Sequence, residues 1–561
     1  MYSAVRDIEG LSRTHLPPRE DAYRPIEERL KILALMEGTM LAQVLSFMVP
    51  HRCLTICAVS PTARVCAELI QVSDTRVPFQ MSLDDRLFHE CPGSLDGDDE
   101  KERLRHYSWW LVKCGLPLHL DHSSTWTVLR AIAPALVPMV RSSPLSTDDE
   151  LQASDILQLE EMHTRGDWAI SIANVSPSQL THLRRLTVKG YDSEVYEDFL
   201  LQLPGLTELF IDEAYRMPVS LKEPAYAARL LRLDINKPTR KTVSWMYKCT
   251  SVTHLSIIRC GSVLDVASLV ELPYVRNLDM TGSNVPHLDG LSRSLTLTSI
   301  VVKECSQLLS LEGLVGAPQL RSIDASDSGV RTLGELHRCP HLTTVDFCCC
   351  SRLEILNGLV GAPQLQSIRA AWSGVRTIGE LHRCLHLRKV NFSNCSELLS
   401  LAGLAGAPKL EEIDAFGSGV RTIGDLNCCP RLTSVSFDRC RNLESLEGLV
   451  GAPQLEGIDV SDSGVRTIGD LNRCPRLTTL LLLRCLNLES LEGLAGAPQL
   501  EWIDASGAGV RTIGELYRCP RLRTVGFKRC RNLESIAGLS GAPQLQTVDA
   551  TRKLIKTWHH S

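Results

Sequence analysis

The sequence has no long uninterrupted apolar run, no strong excess of charge of either sign and none of the short signatures of catalysis. Each absence removes a class of function. Its longest apolar region, Leu30 to Met48, is broken by Lys31, Glu37 and Gln43, so no segment reads as a membrane span. The opening MYSAVRDIEGL carries charges where a secretory signal needs an apolar core, which sets the expectation of an intracellular, cytoplasmic chain. A net charge of −5 over 561 residues is close to neutral, so neither nucleic acid nor a membrane is expected as a partner. No G-x-x-x-x-G-K-S/T phosphate loop, G-x-S-x-G elbow, H-E-x-x-H helix or kinase set occurs. The expectation is a protein that is not an enzyme and holds no cofactor or metal.

Cysteine, by contrast, is plentiful, at 21 residues. In a short secreted chain that number would suggest a disulfide framework, but this chain is too long to need one and shows no export signal. Most of the cysteines fall at fixed positions of a repeat, which points to reduced thiols with a packing role. His337, Cys339 and His341, then His382, Cys384 and His386, have the look of metal ligands. Other periods place Asn, Tyr or Arg at the histidine positions and no paired C-x-x-C supports them, so the repeat explains them better.

The repeat is announced by the phrase GAPQL, which stands at 316, 361, 451, 496 and 541, with GAPKL at 406, always 45 residues or a multiple of 45 apart. Each period divides into a phrase of 22 residues, LEGIDVSDSGVRTIGDLNRCPR from Leu455, and one of 23, LTTLLLLRCLNLESLEGLAGAPQ from Leu477. Apolar residues occupy relative positions 1, 4 and 6 of both: Leu455, Ile458 and Val460, then Leu477, Leu480 and Leu482. The 4-to-6 spacing is the period of a short strand with one buried face, and the later spacing of three, at Leu488, Leu491 and Leu494, is that of a coil or 3₁₀ return.

These residues resemble the leucine-rich repeat pattern LxxLxLxxN/CxL in units of about 20 to 29 residues. Seventeen units begin at Leu183, Leu206, Leu230, Val252, Val275, Leu297, Leu320, Leu342, Leu365, Leu387, Leu410, Leu432, Leu455, Leu477, Leu500, Leu522 and Leu545, the first three degenerate. The two phrases resemble two alternating subtypes of the family, one of 22 residues and one cysteine-containing, with Cys260, Cys305, Cys350, Cys395, Cys440, Cys485 and Cys530 where Asn usually stands. The resemblance implies an α/β fold: a leucine-rich repeat solenoid over 166–561 with a parallel β-sheet on its concave face. Neighbouring strands about 4.8 Å apart would make that face on the order of 80 Å long, suited to a protein partner.

Position 5 of each strand points away from the core. In the shorter phrases it holds Asp279, Asp324, Arg369, Asp414, Asp459, Asp504 and Asp549, an acidic column interrupted once. In the longer ones it holds Val301, Asp346, Asn391, Ser436, Leu481 and Gly526, a variable column. The aspartates, with Asp346 and Arg369, are the candidate partner-binding residues of the concave face. Duplication of near-identical units would repeat them regardless of use. Arg331, Arg376, Arg421, Arg466 and Arg511 read as a solvated edge.

Ahead of the repeats, residues 1–75 read as a small helical domain and 76–165 as a mixed linking and capping region. Leu41, Val44, Leu45 and Met48 share a helix face, Pro50 breaks it, and Ser60-Pro61 starts a further helix. The stretch 41–70 resembles an F-box, with Leu45, Ser46, Phe47 and Met48 matching its first phrase and Leu54, Val59 and Ser60 its second. It departs from that pattern at Met36-Glu37, where Leu-Pro is usual, and at Ala63, where Trp is common. The resemblance implies docking of Leu45, Phe47, Met48 and Leu54 on the adaptor subunit of a cullin ubiquitin ligase, with the solenoid holding a substrate. The competing expectation is an intracellular repeat scaffold or regulator, like the adenylate-cyclase regulatory repeat proteins that the repeats also resemble.

Overall fold

The computed structural model describes the strand 79–81 and residues 117–120, 125–145, 156–165, 175–189, 202–212, 227–238, 248–264 and 266–551, with a few single positions besides. The chain divides into two units, Met1–Leu230 and Leu231–Ser561. The first carries strands β1 (Phe79–Met81), β2 (Leu118–Leu120), β3 (Val140–Leu145), β4 (Glu161–Arg165), β5 (Arg185–Lys189) and β6 (Glu208–Asp212). Each pairs in parallel with the next. Parallel pairing is therefore present within 79–165, the stretch that the sequence reading assigns to linking and capping. Helix α1 (Thr125–Ile132) buries Trp126 and Leu129. The Trp126 indole donates to Ser143 Oγ at 2.7 Å, so its one polar atom is satisfied inside the core.

The second unit is a leucine-rich repeat solenoid of fifteen parallel strands, from β7 (Arg232–Asn236) to β21 (Thr547–Ala550). Register does not drift: Ile323 pairs with Val345, Val345 with Ile368 and Ile368 with Val390. In each of the seventeen repeats read from the sequence a strand starts two residues after the first Leu or Val. Positions 1, 4 and 6 form the core. Ile458 is 2% exposed, and Leu480 and Ile503 are completely buried. A slip of one residue within a strand would turn that strand's apolar set outward, whereas the return loops absorb the difference between phrases of 22 and 23 residues.

After each strand from β8 (His254–Ile258) to β20 (Thr524–Phe527) the chain returns through a 3₁₀ turn, such as Leu471–Arg473 in the shorter phrase and Glu492–Leu494 in the longer. Isolated parallel bridges on the return side join Ser310 to Thr332, Ile355 to Thr377, Ser400 to Thr422, Ser445 to Thr467 and Ser490 to Thr512. They link the longer phrase to the shorter one that follows it, so the structural period is two rungs and the sequence repeats at 45. In GAPQL the glycine supplies the left-handed backbone that closes the return, with φ +85° at Gly451.

The cysteines that replace Asn are buried hydrogen-bond donors. Cys350, Cys395, Cys440, Cys485 and Cys530 each point Sγ at a position-6 carbonyl of the preceding rung, at 3.0 Å. A second column, Cys339, Cys384, Cys429, Cys474 and Cys519, bonds carbonyls on the return side in the same way. At the last strand the pattern loosens: Val548 and Ala550 are half-exposed, where their counterparts Val525 and Phe527 are fully buried.

Candidate functional site

Side chains at positions 3 and 5 of the strands form the outward face of the sheet. The aspartates of position 5 are half-buried there, apart from the exposed Asp549, and their recurrence has a local cause. Oδ1 of Asp279, Asp324, Asp346, Asp414, Asp459 and Asp504 each accepts the N–H of the residue two places on, at 2.9–3.1 Å. The carboxylate thus caps the turn that leaves the strand. Asn391 makes the same bond to Ser393 N–H. The second oxygen is what remains for a partner. In Asp346 it faces Arg369 Nη1 at 3.2 Å, in Asp414 it accepts from Asn391 Nδ2 at 3.1 Å, and in Asp549 it faces Lys528 Nζ at 3.2 Å. Asp279, Asp324, Asp459 and Asp504 keep theirs without a polar partner among the described residues. Arg369, the interruption in the column, therefore cross-braces the rung before it.

Position 8 shows a feature that sequence reading missed. The turn requires a left-handed backbone there, and it is taken by Glu304, Asp327, Cys349, Trp372, Asn394, Arg439, Asp462, Arg484 and Arg529 as well as by glycine. A tryptophan in this conformation is an outlier, and Trp372, with φ +60°, is also 64% exposed. Its N–H donates to the carbonyl of Ser393 on the next rung at 2.8 Å.

Ser393 borders a depression of about 470 Å³ lined also by Glu412, Asp414, Phe416, Ser434, Ser436, Asp438 and Asp459. Four carboxylates line it and no basic side chain does. From outside, Lys389 pairs with Glu412 at 2.6 Å, and the Arg439 guanidinium lies over the Phe416 ring at 5.2 Å. Asp462, next along the turn from Ser461, is held by Arg484. Asp438 sits less comfortably. Burial, then the charge of Asp459, pushes its carboxyl above the usual carboxylate range, against the pull of Arg439. Its Oδ1 is buried with no hydrogen-bond partner, and so is the hydroxyl of Ser461. On the far side, Leu481 and Leu483 are half-exposed and Trp502 is 46% exposed. Sequence reading marks Asp414 and Asp459 of this site and passes over Glu412, Phe416, Asp438 and the two tryptophans. Only their departure from the repeat consensus could have signalled them.

The first unit presents a different cluster. Arg185 donates to Glu208 at 2.7 Å and to Glu161 at 2.9 Å, with His119 and His163 beside Glu161. Burial holds both imidazoles below their usual range, and Glu161 only partly offsets it. The charges here satisfy one another. Among the described residues no group of three His, Cys, Asp or Glu side chains is placed to hold a metal ion. Cys339 and Cys384, flanked by histidines in sequence, are buried and bonded to carbonyls, with their thiols pushed up by burial. Leu45, Phe47, Met48 and Leu54 lie outside the described residues. No described helix is long and apolar enough to cross a membrane.

No family model matches the chain, and no curated protein does. Solved structures do. An internalin from Listeria monocytogenes is similar at 12% identity over 72% of this chain and 90% of its own, with a TM-score of 0.35. A leucine-rich repeat protein of Leptospira interrogans is similar at 11% identity over 68% of this chain and 89% of its own, TM-score 0.41. The Toll protein of Drosophila, solved in complex with Spatzle, is similar at 12% identity over 84% of this chain and 61% of its own, TM-score 0.48.

Proposed function

We propose that the chain is a non-catalytic, protein-binding repeat protein that engages its partner on the strand face of the second unit, the face expected to be concave. The observation that carries this reading is the set of outward side chains that the core does not use. Four column aspartates keep an oxygen without a polar partner, and two tryptophans stand exposed where the core gains nothing from them. Fifteen strands at about 4.8 Å spacing give a face on the order of 70 Å long, enough for a macromolecular partner. Partly exposed Trp side chains are the residue type that most often dominates protein interfaces. The acidic column repels phosphate, which disfavours nucleic acid. Tests use the full chain with a photo-crosslinking amino acid at Ser436, at Leu481 or at Arg376 on the return edge. One and the same partner should be captured from the first two sites and not from Arg376. Capture from Arg376 alone, or equally from all three, would reject the face.

A finer reading makes the chain the substrate-recognition subunit of a cullin ubiquitin ligase in the cytoplasm. It rests on the F-box resemblance of residues 41–70, with Leu45, Phe47, Met48 and Leu54 as the adaptor contacts. The full chain should then retain the ligase adaptor in a pull-down, and Phe47→Ala and Leu54→Ala should lose it without unfolding. No adaptor binding by the unaltered chain leaves the alternative, an intracellular scaffold or regulator, for example of adenylate cyclase.

A further inference from the structure

Positions 5, 7 and 10 lie outside the apolar count of the longer repeat. The unit from Leu387 places Asn391, Ser393 and Ser396 there, and the unit from Leu432 places Ser436, Asp438 and Arg441. The unit from Leu477 places leucine at all three. Leu481 and Leu483 are half-exposed, and Leu486 is 72% exposed. Trp502, at position 3 of the next rung, adds a fourth apolar side chain where Gly457, Thr479 and Thr524 stand on the neighbouring rungs.

Strand register draws this set together. Thr479 pairs with Trp502 and Leu481 with Asp504, so Trp502 and Leu481 are diagonal neighbours on the outward face, with Cα atoms about 8 Å apart. Gly457, opposite Thr479 on the other side, offers no side chain, and a β-carbon there would meet nothing within 4 Å, so the face beside the leucines is open. Leu481 itself stands between Asp459 and Asp504. Each of these carboxylates caps its own turn with one oxygen and keeps the other without a polar partner among the described residues. The cations nearby are spent, Arg484 on Asp462 and Lys528 on Asp549. Contiguous exposed apolar side chains inside a polar rim are the mark of an interaction site.

We propose that the rungs from Leu477 and Leu500 dock an amphipathic helix of the protein partner, apolar toward Leu481, Leu483 and Trp502 and carrying two basic residues one heptad apart over Asp459 and Asp504. The proposal rests on the strand face being the partner surface, and it names the chemistry recognised there. Charge and spacing select the occupant. The two carboxylates are two rungs apart, about 9.6 Å. Helix positions i and i+7 are separated by about 10.5 Å on one face, with i+3 and i+4 between them, where Leu481 lies. An extended segment repeats on one face at about 6.8 and 13.6 Å, which misses the second carboxylate on either count. The central Leu and Trp side chains supply the buried apolar anchor that such helix docking uses, and the aspartates at its rim set register and orientation.

The probe is a fluorescein-labelled, alanine-based helical peptide with Lys at i and i+7 and Leu at i+3 and i+4, titrated with the full chain at low salt and read by anisotropy. Leu481→Ser/Leu483→Ser should weaken binding about tenfold or more. The repeat accepts serine at both positions, as Ser436 and Ser393 show, so this variant keeps its fold. Trp372→Ala, which removes an exposed aromatic elsewhere on the face, should change binding less than about twofold. Asp459→Asn/Asp504→Asn should weaken the probe about threefold or more and leave unchanged a peptide with Gln in place of both Lys. A peptide with its two Leu moved to i+2 and i+5, away from the lysine face, should bind about tenfold more weakly. Equal binding of the two leucine arrangements, or absent or undiminished binding in the leucine double variant's parent comparison, overturns the proposal. A full chain that is dimeric by light scattering and monomeric in the leucine double variant would assign the patch to a second copy and overturn it as well. Cross-linking from Ser436 and Leu481 to one partner, with no selectivity among the probes, would leave the partner face standing and remove this inference alone.

Discussion

The thiol of Cys440 donates to the carbonyl oxygen of Ala415, 3.0 Å away and 25 residues earlier in the chain. Ser418 Oγ lies 3.4 Å from the same sulfur, so one buried side chain ties two backbone turns together. Removing it leaves a cavity and takes one donor from the ladder. Cys440→Ala should cost about 1–3 kcal/mol, and Cys440→Ser less, because a hydroxyl still donates. Urea midpoints of the full chain check this; an alanine variant as stable as the parent would deny the thiol a structural role.

Gly448 packs against the preceding rung more tightly than any side chain allows. A β-carbon there would lie 1.9 Å from the carbonyl oxygen of Gly424. Gly451, three residues on, has open space around it and only its φ of +85° to defend. Gly451→Ala should therefore cost about 1–2 kcal/mol through backbone strain alone. Gly448→Ala must push two rungs apart, at about 3 kcal/mol or more. Thermal unfolding of both variants decides it, and the ranking fails if Gly448→Ala is the milder.

Much of this solenoid is legible in the sequence because its core obeys a count. Leu455, Ile458 and Val460 announce a strand, and all are buried as their spacing requires. The candidate site is legible only in part, because its members meet across rungs 22 or 23 residues apart. Asp414 and Asp459 stand out as a column, yet nothing local marks that Asp438 loses a hydrogen bond or that Ser461 is idle. The left-handed turn is hidden for a similar reason. Arg439 and Trp372 are not turn-forming residue types, and the rungs on either side impose the conformation on them. Strands β1 to β4 carry no regular repeat to read, so their pairing emerges only from the structure.

Thiol reactivity separates structural from accessible cysteines. Of sixteen described cysteines, Cys349 and Cys428 are exposed and all but Cys348 of the rest are buried. Burial pushes the Cys440 and Cys485 thiols up to about 11, which leaves about one thiolate per thousand at pH 8. Cys349 is also held above its usual range, by burial and the charge of Asp327. Among the described cysteines, iodoacetamide at pH 8 should alkylate Cys428 first, Cys349 more slowly and the ladder cysteines only in urea. Peptide mapping that finds Cys440 or Cys485 modified in the native chain would contradict the packing described.

Asp438 ties the acidic depression to stability through pH. Its carboxyl is surrounded by Asp459 and Asp462 on one side and Glu412 and Asp414 on the other, with Arg439 as the nearby cation, and burial leads in raising its folded value. A carboxyl with a raised folded value binds protons more tightly folded than unfolded. Its penalty is absent below the ordinary aspartate range, grows as pH rises toward the folded value and is complete above it. Asp438→Asn should therefore raise the melting temperature at pH 7 and lose that advantage at pH 3. No gain at pH 7 would mean that the unsatisfied carboxylate is not strained in the folded chain. A gain at pH 7 that vanishes at pH 3 would show a carboxylate held at some cost to the fold, as binding surfaces commonly are.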